Sequence, residues 1–232
     1  MVFGKRKNYT LEDINIKINN QTLEVVPKSK FLGVIIDTKL SWHEHTLYIS
    51  KKISKSIAIL SIANKILNKS TMIQLYYSFV FPHLFYCNLA WGNAADSILW
   101  PVYKNQKIAL RIISNTPRRN STIDFCKNHK ILRLPEIHKN AIGLFMFKFN
   151  NGLLPTIFSN FFTRNQDHHT HHTRNASKFR IPLSKTQLAS KCITKTGVTF
   201  WNHLDATVTA IPKIGSFKKC IKDEIMNTPR AR

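Results

Sequence analysis

The hydrophobic pattern near the N-terminus has a period of two. Ile14, Ile16 and Ile18 alternate with polar Asn15 and Lys17, the mark of a half-buried strand. Asn19-Asn20-Gln21 reads as a turn and Leu23-Glu24-Val25-Val26 as a returning strand, so a hairpin is predicted. Phe31-Leu32-Gly33-Val34-Ile35-Ile36 is a more continuous apolar run. It predicts a strand covered on both faces, with Gly33 marking a bulge or a close backbone approach.

From Ser41 the period lengthens. Ile49, Ile53, Ile57, Leu60 and Leu67 fall on one helical stripe, and Lys51, Lys52, Lys55 and Lys65 lie mostly off it. That spacing predicts an amphipathic helix of roughly 20–25 residues with a basic outer face. Asn68-Lys69-Ser70 breaks the pattern, and Thr71-Met72-Ile73-Gln74 has capping-box spacing for a second helix. Pro82 kinks or ends a segment of it. Further helices are predicted over residues 98–114, stopped by Pro117, over 136–149, and over about 216–226. Residues 163–178 are polar and include His168, His169, His171 and His172; they read as a loop or linker.

Composition changes this picture mainly through charge. The 232 residues are 43% hydrophobic, which suits a globular chain with a real core. Lys plus Arg number 35 against 12 Asp plus Glu, a formal charge of +23. The excess is spread out: residues 1–67 hold 11 basic and 5 acidic groups, 68–150 hold 11 and 3, and 151–232 hold 13 and 4. Such a field suits phosphate-rich partners. A ribosomal-type basic chain is the plainer reading of charge alone.

Several classes are disfavoured. With only 7 Gly, no glycine-rich phosphate loop is found. Cys87, Cys126, Cys192 and Cys220 lie far apart, against a zinc ribbon or a disulfide scaffold. The basic start lacks the apolar run of a signal peptide. Residues 79–91 are cut by Pro82, His83 and Asn88, too short and polar for a membrane span. The expectation is a nuclear or cytoplasmic chain, not secreted, with no membrane and no small-molecule substrate.

Candidate chemistry is sparse. Two-metal catalysis needs converging carboxylates, and Glu12-Asp13 and Asp223-Glu224 each lack a third; both pairs read as solvated. His168, His169, His171 and His172 are a weak zinc candidate, set against a polar linker whose charge rises as pH falls. The basic residues of the helices form the strongest signal. Lys51, Lys52, Lys55, Lys65 and Lys69 line or flank the first long helix; Lys104, Lys107, Arg111, Arg118 and Arg119 do so for the 98–114 helix. Such faces contact successive phosphates without reading sequence, although any one of them is also an ordinary solvated face.

Lys30-Phe31-Leu32-Gly33-Val34-Ile35-Ile36-Asp37, then Leu40-Ser41-Trp42 and His45, resemble the segment that follows the palm strands in jockey-type non-LTR retrotransposon reverse transcriptases. Phe81-Pro82-His83-Leu84-Phe85-Tyr86-Cys87 with Trp91-Gly92, and the run from Gln106 to Ile113, resemble later family segments. Thr173-Arg174, Gly197, Phe200-Trp201-Asn202 and Phe217-Lys218 resemble the tail, and Met1-Val2-Phe3-Gly4 the strand before the segment.

The resemblance implies a fragment: a palm-end β remnant (residues 1–40), a helical thumb-like domain (41–150), a polar His-rich linker (151–180) and a small α/β tail (181–232). The expected class is α+β, mostly α. The family's paired aspartates are not among these residues, so the resemblance implies a chain inactive alone, with no cofactor; Mg²⁺ belongs to the catalytic palm. The implied role is nonspecific holding of an RNA–DNA or DNA duplex. Lys30, Phe31, Leu32 and Gly33 would lie near the primer end, with Lys51, Lys52, Lys55, Lys65, Lys69, Lys104, Lys107 and Arg111 on the backbone. The alternatives are a stand-alone nucleic-acid-binding protein derived from a mobile element, and an inert remnant.

Overall fold

The computed structural model describes residues 1, 16–117, 119–167 and 175–228. Val2, Phe3, Gly4, Glu12, Asp13, Ile14, Arg118, His168, His169, His171, His172, Thr173 and Arg174 lie outside the described residues. The chain gathers into two compact units, one of residues 1–83 and 94–115 and one of residues 84–93 and 116–232. The class is α+β and mostly α, with two small antiparallel hairpins among the described residues.

The first unit begins with β1 (Lys17–Ile18) and β2 (Gln21–Thr22), paired Lys17 to Thr22. Asn19 and Asn20 turn the chain at φ 50° and 62°. A two-residue loop with both φ positive matches the right-handed strand twist, and Asn tolerates it. The alternation of Ile16 and Ile18 does not mark a buried face, because both remain exposed on this short ribbon. β3 (Lys28–Phe31) and β4 (Val34–Asp37) form the second hairpin. Here the expected continuous strand is corrected. Leu32 and Gly33 are the turn, at φ 45° and 82°, and Phe31 and Leu32 are 64% and 74% exposed at its tip. Gly33 accommodates a positive φ without cost, whereas Leu32 carries a steric penalty for it.

α1 (His43–Ala63) buries His45, Ile49, Ile53, Ser56 and Leu60, at steps of four, four, three and four. Leu67, placed on that stripe from sequence, falls beyond the helix and is exposed. α2 (Lys69–Phe79) starts earlier than its expected capping box. Asn68 is the cap, and its Oδ1 accepts from the Thr71 backbone N–H at 2.9 Å. Asn is as good a cap as Thr and here meets the free donor first. α3 (Phe81–Phe85) carries Pro82 in its first turn, where its missing N–H does no harm.

In the second unit α4 (Asn88–Trp91) is a single turn. α5 (Asp96–Ser114), of the first unit, ends at Asn115 in the left-handed conformation, before Pro117 is reached. It runs parallel to α1. Asn105 Nδ2 donates to the Ser50 carbonyl at 2.9 Å, and further along both helices Asn64 Nδ2 donates to Asn115 Oδ1 at 2.7 Å. Gln106 Nε2 reaches the Tyr76 hydroxyl at 2.9 Å inside the core, and Ser56 Oγ reaches the Phe79 carbonyl at 2.9 Å. These polar ties fix α1, α2 and α5 around Ile53, Leu60, Met72 and Leu110.

The second unit continues with α6 (Ile123–Asn128) and α7 (Leu134–Asn150). α8 (Gln187–Lys191), α9 (Ile193–His203), α10 (Ala206–Thr209) and α11 (Ile214–Asn227) follow. α7, grouped with the first helices in the sequence reading, packs on α9 and α11. Phe147 stacks on Phe217 at 4.5 Å between ring centres, with Trp201 beside them. Gly92 is required by a close approach: a Cβ there would meet Asn88 Oδ1 and His138 Nδ1 at 2.5 Å.

Candidate nucleic-acid interface

The motif running from Lys30 to His45 builds a joint between hairpin and helix. The Asp37 carboxylate accepts backbone N–H groups from Lys39, Ser41 and Trp42 at 3.0 Å, and the Ser41 hydroxyl at 3.1 Å. Burial alone would raise its pKa, but these hydrogen bonds prevail and hold the carboxyl below the ordinary range. The loop they close bends sharply, with Leu40 and Trp42 at φ 51° and 66°. At the far side His45 Nδ1 accepts the Ile35 N–H at 3.3 Å. This leaves the ring proton on Nε2 and pins β4 to α1.

Burial pushes the pKa of His45 down, and does the same to His83 and His138. The unfolded chain therefore takes up protons that the folded chain resists. Stability is complete above the unfolded value near 6.5 and declines as pH falls through it toward the lower folded values. Melting temperature is expected to fall between pH 7.5 and pH 5. His45→Asn, whose Oδ1 can take the place of Nδ1, should flatten the decline; thermal melts of both proteins at the two pH values check this.

The joint also orders a basic surface. Lys30 on β3 and Lys52 on α1 both lie over the Tyr48 ring, at 5.1 and 5.5 Å from its centre. The Lys30 hydrogen bond, helped by both lysine charges, draws the Tyr48 phenol below its ordinary range against the opposing effect of burial. Lys51 and Lys55 are exposed on the outer face of α1. Ser50 and Ser54 mark the seam with α5, since both meet Asn105. At 100° per residue, Lys51 and Lys55 turn one step past that seam, and Lys104 turns one step before it on α5. The three lysines therefore share the side of the helix pair away from the core, and Arg111 lies on the same stripe of α5 as Lys104.

Lys107 stands between Lys104 and Arg111 on that stripe, half-buried against Trp100 and Tyr103, at 5.0 and 4.3 Å from their ring centres. Lys65 follows the end of α1, about 20 Å along its axis from Lys52, and Lys69 opens α2. Phe31, Leu32 and Gly33 form the exposed hairpin tip next to Lys30.

Few acids oppose this surface. The described residues of the first unit hold 12 Lys plus Arg and 4 Asp plus Glu. Asp37 is enclosed by its backbone donors, and Glu44 pairs with Lys28 at 2.9 Å on the surface. The residues that sequence reasoning did not single out are Tyr48, Trp100 and Tyr103. Their signal was present as aromatic-to-lysine spacings of four, seven and four: Tyr48 to Lys52, Trp100 to Lys107, Tyr103 to Lys107.

In the second unit a cleft of about 460 Å³ is lined by Arg164, Phe179, Trp201 and Asn202 among others. Its polar groups serve the fold. Asn202 clasps the Phe179 backbone, donating to its carbonyl at 2.7 Å and accepting its N–H at 3.2 Å. Arg164 donates to Asn150 Oδ1 at 2.9 Å and lies over the Phe179 ring. Asp223, read as solvated, forms an ion pair with Lys130 at 2.7 Å. Burial raises the Cys126 thiol to about 11, which makes it a poor nucleophile. Among the described residues no cluster of His, Cys, Asp and Glu is arranged to hold a metal, and no helix is long and apolar enough to cross a membrane.

The RNA-directed DNA polymerase from mobile element jockey of Drosophila melanogaster is 27% identical over 138 residues. The likeness supports an origin related to retrotransposon reverse transcriptases. The match takes in 58% of this chain but 15% of that polymerase. No family model matches the chain, and no solved structure matches it.

Proposed function

We propose that the chain is the part of a retrotransposon reverse transcriptase that follows the catalytic palm, and that it holds a template–primer duplex through the phosphate backbone. The observation that carries this reading is the lysine face of α1 and α5, which no acidic side chain among the described residues neutralises. Lys51 and Lys55 are separated by four residues on one helix, about 6 Å apart, which suits neighbouring phosphates. The hairpin tip beside Lys30 extends the same surface toward a strand end.

Nucleotidyl transfer needs carboxylates to hold two metals, and the chain contains no adjacent pair of aspartates. One sample tests both halves of the reading. The purified protein is expected to bind a short RNA–DNA hybrid at low salt and to incorporate no nucleotide when Mg²⁺ and a primed template are supplied. Absence of binding would refute the holding role, and incorporation above a heat-killed control would refute the palm-free assignment.

A further inference from the structure

The outer stripe of α5 carries more than phosphate chemistry. Trp100 is 53% exposed, and Tyr103 meets it edge-on with ring centres 6.2 Å apart. The Lys107 ammonium lies over one face of each ring. A large exposed indole is unusual on a face that need only attract phosphates. The core of α5 is made by Val102, Gln106, Ala109, Leu110 and Ile113, and Trp100 stands outside it. Lys104 and Arg111 continue the stripe with positive charge, and its one acid, Asp96, sits at the helix start.

We propose that the open face of the Trp100 indole, braced edge-on by Tyr103, is a stacking platform for an unpaired base, with Lys107 and Lys104 holding the flanking phosphates. The occupant is single-stranded nucleic acid. This rests on the nucleic-acid reading of the same unit and narrows it to a strand leaving or entering the duplex. An aromatic ring accepts the face of any base, and a lysine beside it serves the adjoining phosphate, so such a platform works without sequence preference. In a duplex the bases are already stacked on each other, and the indole has little to offer beyond its surroundings.

The test measures binding of fluorescein-labelled oligo(dT) and of a blunt duplex of equal length to the intact chain and to Trp100→Leu. Leucine keeps apolar bulk and removes the π face, and the exposed position leaves the melting temperature as a control for folding. The single strand is expected to bind the variant about 5- to 150-fold more weakly, the range for losing one stacked base. Duplex affinity should change by less than about twofold. The intact chain should also show tryptophan quenching by oligo(dT) that the variant lacks. Equal losses for both ligands, or no loss for either, would overturn the platform while leaving the basic face standing. Failure of the intact chain to bind either ligand at low salt would overturn the nucleic-acid reading itself.

Discussion

Asp37→Ala is expected to destabilise the first unit more than any exposed substitution in it. The carboxylate holds three backbone N–H groups and one hydroxyl, all within 3.1 Å, at the point where the hairpin passes into α1. Hydrogen bonds to a charged acceptor contribute about 1.5–3 kcal/mol each when buried. Water can replace part of that here, because the site is only partly buried. A net loss of about 2–3 kcal/mol follows, and in a unit of this size it lowers the melting temperature by roughly 10 °C or more.

Asp37→Asn retains one acceptor oxygen and should lose less. The folded carboxyl lies below its ordinary pKa, so its contribution is present above about pH 4 and disappears as pH falls through the folded value. Thermal melts of the two variants at neutral pH check the ranking; equal stability of Asp37→Ala and the parent would show that the loop does not depend on this carboxylate.

Much of the helical half was legible because a single physical cause set each element. The stripe from Ile49 to Leu60 is dictated by burial, and α1 appears with 21 residues. The Asn19-Asn20 turn was legible because few residues tolerate paired positive φ. Phe31-Leu32 misled for the opposite reason. An apolar run normally means cover, yet the Leu32-Gly33 turn holds both side chains in solvent. The start of α2 was read three residues late because Asn68, Ser70 and Thr71 all have capping chemistry, and only geometry selects Asn68.

The candidate interface was legible as charge and not as arrangement. Lys51, Lys55 and Lys104 share a side only because α1 and α5 lie parallel, with Asn105 opposite Ser50 and Asn115 opposite Asn64, a tertiary fact. The motif residues proved to have structural tasks: Asp37 closes a loop, His45 receives a strand, and Gly92 admits a close approach. Local sequence cannot distinguish such tasks from direct binding.

If the face on α1 and α5 holds duplex phosphates, affinity should collapse with salt. Each neutralised phosphate contributes a log–log slope of about −0.9 for B-form DNA. Roughly four to six neutralised phosphates give a slope of about −4 to −5, and affinity should drop by about a hundredfold to a thousandfold between 50 and 200 mM salt. A merely cationic chain would also show salt dependence, so the location of the charge is what must be tested.

The most direct measurement compares two triple charge reversals that remove the same charge from exposed lysines. One set is Lys51→Glu, Lys52→Glu and Lys55→Glu on α1; the other is Lys213→Glu, Lys218→Glu and Lys219→Glu at the start of α11. Duplex binding is followed by fluorescence anisotropy across a salt series, with melts confirming that both proteins fold. The α1 set is expected to flatten the slope by about one unit for each phosphate no longer neutralised, and the α11 set is expected to leave it nearly unchanged. Equal flattening by the two sets would contradict a directed face and leave only general attraction to a chain of charge +23.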